Sequence, residues 1–131
     1  MLYSIVINSA PHSLHGGTSY NALQFARALL RNNHRIHRLF FYGEGVYNLN
    51  AQAITPQGEF DLAAAWQHFI DDNSIDGVVC IAAAARRGIL DDGEAKRHGK
   101  AAATLLGASE LSGLGQLIEA TAVSDRVITF G

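Results

Sequence analysis

Apolar positions fall into short unbroken runs that alternate with stretches spaced at three and four residues. Residues 2–8, Leu-Tyr-Ser-Ile-Val-Ile-Asn, form a β-branched run of the kind a strand buried on both faces needs. Turn formers over 11–17 predict a loop. Thr18 or Ser19 is then placed to cap a helix reaching Asn32, with Ala22, Phe25, Ala26, Leu29 and Leu30 along one stripe. Asn32-Asn33 ends it, and 35–42 reads as a second strand. Residues 43–57 read as a long connection with some local helix. A second helix is expected over 59–72, packing Phe60, Ala63, Ala64, Trp66, Phe69 and Ile70.

Asp76-Gly77 leads into a third strand at 78–81, Val-Val-Cys-Ile, followed by an alanine-rich turn and a charged segment over 91–100. Residues 101–106 are expected to be helical, and 108–111 is a candidate fourth strand. Ser112 is placed to cap a helix to Ser124, and 126–130 is the last strand. Strands alternating with helices of this length predict an α/β three-layer sandwich around a parallel sheet. No repeat or linker interrupts it, so 1–131 reads as one domain. Function in such a sheet sits at the carboxyl ends of the strands. That points to the loops at 9–17, 43–50 and 82–88, and the one after the fourth strand.

With 131 residues, 48% of them hydrophobic, the chain can bury a core without disulfides or metal. A net charge of −2 argues against a dedicated nucleic-acid binder, so no direct nucleic-acid contact is expected. The N-terminal apolar run is short and has no basic flank, and no run approaches the ~18 residues that span a bilayer. The single cysteine forms no internal disulfide, which fits a reducing compartment. The expected location is cytoplasmic, with no membrane contact.

That cysteine, Cys80, ends the third strand. Helical N–H groups of the alanine run, with Arg86 and Arg87, would favour the thiolate. A thiolate attacks a sulfane sulfur and accepts it as a persulfide. The usual fate of a free cysteine in a core strand, however, is that of a small buried hydrophobe, and position alone favours that reading.

Three segments bear on the choice. Val79-Cys80-Ile81 with the run to Ile89 resembles the active-cysteine segment of the TusD/DsrE sulfurtransferase family. Residues 40–48, Phe-Phe-Tyr-Gly-Glu-Gly-Val-Tyr-Asn, resemble its second-strand loop. Residues 111–117 with Asp125-Arg126-Val127 resemble its last helix and strand. The resemblance implies a flavodoxin-like sheet of about five strands with helices on both faces. It also implies a persulfide carrier at Cys80, supported by Arg86 and Arg87 through thiolate stabilisation or partner docking, with no cofactor and no metal. The implied partners are two related small subunits in a heterohexamer (a dimer of heterotrimers), a TusA-like persulfide donor and a TusE-like acceptor. In the TusD branch the relay ends in 2-thiolation of the tRNA wobble uridine. In the DsrE branch it serves sulfur oxidation. Tyr47-Asn48-Leu49-Asn50 looks like TusD, which favours the first.

Other features point elsewhere. His12 with His15, and His34 with His37, lack the carboxylate or cysteine that would complete a metal site. Ser13 has no nucleophile-elbow pattern around it. Gly16-Gly17 joins the first strand to its helix, as a phosphate cradle would. This supports a rival reading: a non-catalytic anion- or nucleotide-binding module with Cys80 as core. A scaffold subunit of the same complex is a third. Arg27, Arg31, Arg35 and Arg38 read as a solvated basic face. Arg86, Arg87, Lys96, Arg97 and Lys100 group near Cys80, where they would steer an acidic partner. Asp92–Lys96 and Glu94–His98 read as helical i,i+4 pairs.

Overall fold

The computed structural model describes residues 1–12 and 17–131. Strands β1 (Leu2–Ile7), β2 (Arg35–Phe41), β3 (Gly77–Cys80), β4 (Glu110–Ser112) and β5 (Arg126–Phe130) form one parallel sheet in the order β4-β3-β2-β1-β5. The helices are α1 (Thr18–Arg31), α2 (Leu62–Asp72), α3 (Ile81–Arg86), α4 (Asp92–Arg97) and α5 (Gly115–Val123), with a 3₁₀ helix at Gly43–Leu49. Five parallel strands and the alternating connections match the expected α/β class. The strand order differs from the 2-1-3-4-5 order of flavodoxin itself. Here the chain steps one way from β1 to β4, then crosses the whole sheet to place β5 beside β1.

That path decides which face each helix covers. Right-handed crossovers moving in one direction put their helices on one face, and a return crossover puts its helix on the other. Accordingly α1 packs against α2, while α5 lies apart from them against β2 and β5. The α1–α2 face is thickly covered. Phe41 on that side meets Trp66 of α2 edge-on at 5.3 Å, and Trp66 is fully buried. The opposite face has α5 alone.

Arg38 holds α5 down, which corrects its assignment to a solvated face. The residue is only 8% exposed. Its guanidinium donates to Asp76 at 2.8 Å, to the Gln116 carbonyl at 2.8 Å and to Glu119 at 2.6 Å. Desolvation pulls its pKa down, but the hydrogen bonds and charges of Asp76 and Glu119 outweigh that and raise it. His37, one residue earlier, bonds the same Glu119 at 2.8 Å. Ser4 and Ser124 add a hydroxyl pair at 2.7 Å on this face.

Several local expectations are corrected. Residues 101–106 are not helical. Thr104 and Leu105 both donate to the Leu90 carbonyl, at 2.8 and 3.0 Å, and Leu106 donates to that of Leu49 at 2.9 Å. A six-residue helix is marginal in isolation, so these tertiary bonds outweigh the alanine propensity. The helix expected from 59 starts at Leu62, because Asp61 caps it by accepting from Ala64 N at 3.1 Å. Phe60 therefore lies outside it, 54% exposed, edge-on to Tyr20 at 5.4 Å. Neither Thr18 nor Ser19 caps α1. Gly17 takes that position with φ 64°, and Ser19 is buried in the first turn. Ser112 is a strand residue opposite Cys80, so α5 begins at Gly115 without a side-chain cap. Within 91–100 the helix is α4, capped by Asp91 accepting from Glu94 N at 2.8 Å. Glu94 pairs with His98 at 3.1 Å, whereas Asp92 and Lys96 form no ion pair among the described residues. No described helix is long and apolar enough to cross a membrane.

Candidate functional site

The carboxyl ends of β1 to β4 all point to one edge, and Cys80 lies there as the last residue of β3. The strand stops one residue earlier than the apolar run suggests. Ile81 starts α3, and Cys80 becomes its N-cap residue with extended backbone (φ −61°, ψ 117°). The alanine run is thus a true helix directly after the thiol. Register fixes which way the thiol faces. Phe40 pairs with Val78, and side chains alternate along a strand, so Arg38, Phe40, Val78 and Cys80 share one face. Arg38 touches α5, so Cys80 faces the thinly covered side.

This placement puts a core cysteine beside a cavity. Cys80 is 3% exposed and packs within the hydrophobic core. Yet α5 is anchored over β2 and β5, and beyond its start the sheet edge is left open. A pocket of about 440 Å³ forms there, lined by Tyr42, Gly43, Cys80, Arg86, Arg87 and Leu114 among others. Tyr42 and Leu114 stand at its mouth, 40% and 46% exposed. Cys80 thus contributes to the lining of that pocket while being almost wholly buried.

The two arginines differ. Arg87 donates from Nε and Nη2 to Glu44 Oε1, at 3.2 and 3.0 Å, and from Nη1 to the Ala83 carbonyl at 3.0 Å. It ties the 3₁₀ helix to α3, and its charge is matched by Glu44. Arg86 is exposed at the pocket edge and makes no hydrogen bond or ion pair among the described residues. Both sit at the far end of α3 from the thiol.

Sequence reasoning missed the residues that shape this edge. Gly45 lies so close to β1 that a Cβ there would come within 1.8 Å of the Ile7 carbonyl oxygen. Asn48 is fully buried, and its Nδ2 donates to the carbonyls of Ser9 and Gly45, at 3.0 and 2.9 Å. Together they clamp the 3₁₀ helix onto the end of β1. The glycine within Phe41-Tyr42-Gly43-Glu44-Gly45 was the available signal. Among the rival candidates, His34 bonds the N-terminal amine at 3.1 Å and His37 bonds Glu119. Ser13, His15 and Gly16 lie outside the described residues. With them goes the structure of the loop on which the anion-binding reading depends.

Comparison with known proteins bears on the whole chain. Residues 1–130 match the DsrE/DsrF-like family. The chain is 47% identical over its full length to a protein of Pseudomonas aeruginosa named sulfurtransferase TusD homolog, covering 98% of it. It is 41% identical, again over its full length, to the DsrE protein of Allochromatium vinosum, covering 99% of that one. Among solved structures it shares the fold of the ychN protein of E. coli, with a TM-score of 0.76, 21% identity and 99% of each chain covered.

Proposed function

The chain belongs to the DsrE/DsrF-like family, and from that premise we propose that it is a sulfurtransferase carrying persulfide sulfur on Cys80. The observation that supports this most is the pocket at the end of β3, with the only cysteine of the chain in its wall. A module that used Cys80 as core alone would have no need of an opening onto it.

The chemistry is two displacements at sulfur. Cys80 thiolate attacks the outer sulfur of a donor persulfide, forming one S–S bond as the donor's S–S bond breaks. The donor leaves as a thiolate, and Cys80 holds the persulfide. An acceptor thiolate then attacks that outer sulfur, and Cys80 returns to its thiolate. No electrons are gained or lost overall, so no redox cofactor takes part. With a single cysteine the chain cannot release sulfur by closing its own disulfide. The acceptor thiol therefore comes from another chain, and docking is part of the reaction.

Roles for neighbouring residues follow from their placement. Arg86 carries the unpaired positive charge at the pocket edge, suited to an anionic partner surface. Arg87 and Glu44 fix the wall. Two related small subunits would complete a heterohexamer. The exposed apolar side chains of Leu114, just before α5, and of Ile118 and Val123 on it support such a cover, with Ile118 69% exposed. Donor and acceptor are small TusA-like and TusE-like proteins. The end product is 2-thiolated wobble uridine in tRNA, the reading favoured by the residues at 47–50. Sulfur oxidation is the second reading, favoured by the likeness to the DsrE protein.

The test is transfer. Protein preloaded with persulfide and mixed with an acceptor thiol protein should release its sulfur to it, and Cys80→Ser protein should release none. Deleting the gene and measuring 2-thiouridine in tRNA separates the branches. Loss of the modification supports the tRNA route, and unchanged levels reject it. Sulfur transfer undiminished in Cys80→Ser would reject the carrier role altogether.

A further inference from the structure

A second, larger groove adjoins the Cys80 pocket. It has a volume of about 930 Å³ and is walled by Leu90, Ala101 and Ala102, with Arg86, His98 and Lys100 at its rim. Arg86 lines both cavities, so the groove lies beside the Cys80 pocket. Among the described residues no carboxylate lines it, although the chain as a whole carries a net charge of −2. Glu94 engages His98 at 3.1 Å and Arg97 at 3.4 Å, while Arg86 and Lys100 pair with no acid among the described residues. Residues 101–103 lie in no helix or strand and make no backbone hydrogen bond to another described residue. Their N–H and C=O groups are open to an incoming strand.

We propose that this groove seats an extended, acidic stretch of the protein that accepts sulfur from Cys80, the partner chain that a single cysteine requires. The proposal rests on the carrier role of Cys80 and adds what holds the partner there. An extended peptide sends alternate side chains to opposite sides. Apolar residues then face Leu90 and Ala102 while carboxylates meet Arg86 and Lys100. The free backbone of 101–103 supplies main-chain partners that need no particular sequence. A nucleic acid fits less well. Among the described residues no Phe, Tyr or Trp lines the groove, its one ring, His98, is engaged by Glu94, and its walls are mostly aliphatic.

Fluorescence anisotropy on the full chain tests this with three labelled probes. One is a peptide of alternating glutamate and leucine, one has lysine in place of glutamate, and one is single-stranded RNA of mixed sequence. The glutamate peptide should bind, and more weakly as salt rises. Lys100→Glu and Ala102→Glu should each weaken it about tenfold. Both positions are exposed, and a thermal melt of each variant confirms its fold; should one not fold, the other carries the comparison. Equal binding of the lysine peptide, binding of RNA in place of the glutamate peptide, or unaltered binding by the folded variants would overturn the proposal. Sulfur uptake by wild-type Cys80 from inorganic polysulfide is read in parallel. Protein that takes up sulfur yet ignores the peptide contradicts the groove alone. Protein that binds the peptide yet takes up no sulfur contradicts the carrier role instead.

Discussion

A cysteine that ends a buried strand is inert or reactive according to a few ångströms of covering. Here the thiol is almost wholly buried as a side chain yet borders an open pocket, because the strand turns into α3 right after it. Replacing Cys80 by Ser keeps the shape and puts a hydroxyl in a largely apolar wall. A cost of about 1–2 kcal/mol in stability is expected, with complete loss of sulfur transfer. Denaturant melts beside transfer assays separate the two effects. Gly45 bears on the same edge from below. Gly45→Ala drives a methyl into the Ile7 carbonyl, and neither backbone yields without moving the 3₁₀ helix. A loss of about 3 kcal/mol is expected, seen as a lower urea midpoint. The role of Gly45 was hidden in the sequence because nothing in its neighbours tells how near another strand's backbone comes. The place of Cys80 at a strand end was legible in the apolar run, but position alone did not separate a core cysteine from a carrier, and the resemblance of residues 79–89 made that choice.

Elements were read as well as their bonding was local. β1, β2 and β5 follow their own apolar runs, and α1 follows its stripe, so sequence alone located them. The stretch 101–106 failed that test because its conformation is dictated by Leu90 and Leu49, far away in the chain. Arg38 was misread for a related reason: its partners, Asp76 and Glu119, lie 38 and 81 residues on. That cluster makes α5 sensitive to acid. The hydrogen bond from His37, with the bond and charge of Arg38, holds Glu119 below the usual carboxylate pKa despite partial desolvation. A depressed carboxylate pKa contributes stability above the ordinary carboxylate range, and the contribution fades as pH falls through the folded value. Amide exchange in α5 should therefore quicken relative to the sheet as pH drops below that range, and Glu119→Gln should flatten the dependence. Arg38→Ala leaves Asp76 and Glu119 without the cation they share. With both acids partly exposed, about 2 kcal/mol of stability should be lost, measured by thermal melting.

For the whole molecule, strand order governs where chemistry is possible. Four strands laid down in one direction pile their helices on one face, and the single return crossover leaves α5 alone on the other. The open side thus comes from topology, and Cys80 faces it by alternation along β3. The central claim is that this one sulfur accepts another. Its most direct measurement is the mass of the Cys80-containing peptide after the intact protein has been incubated with a persulfide donor and blocked with an alkylating agent. The account predicts a fraction heavier by one sulfur atom, reverting to the plain alkylated mass when a reducing thiol is added. A peptide that alkylates readily yet never gains the sulfur would contradict it.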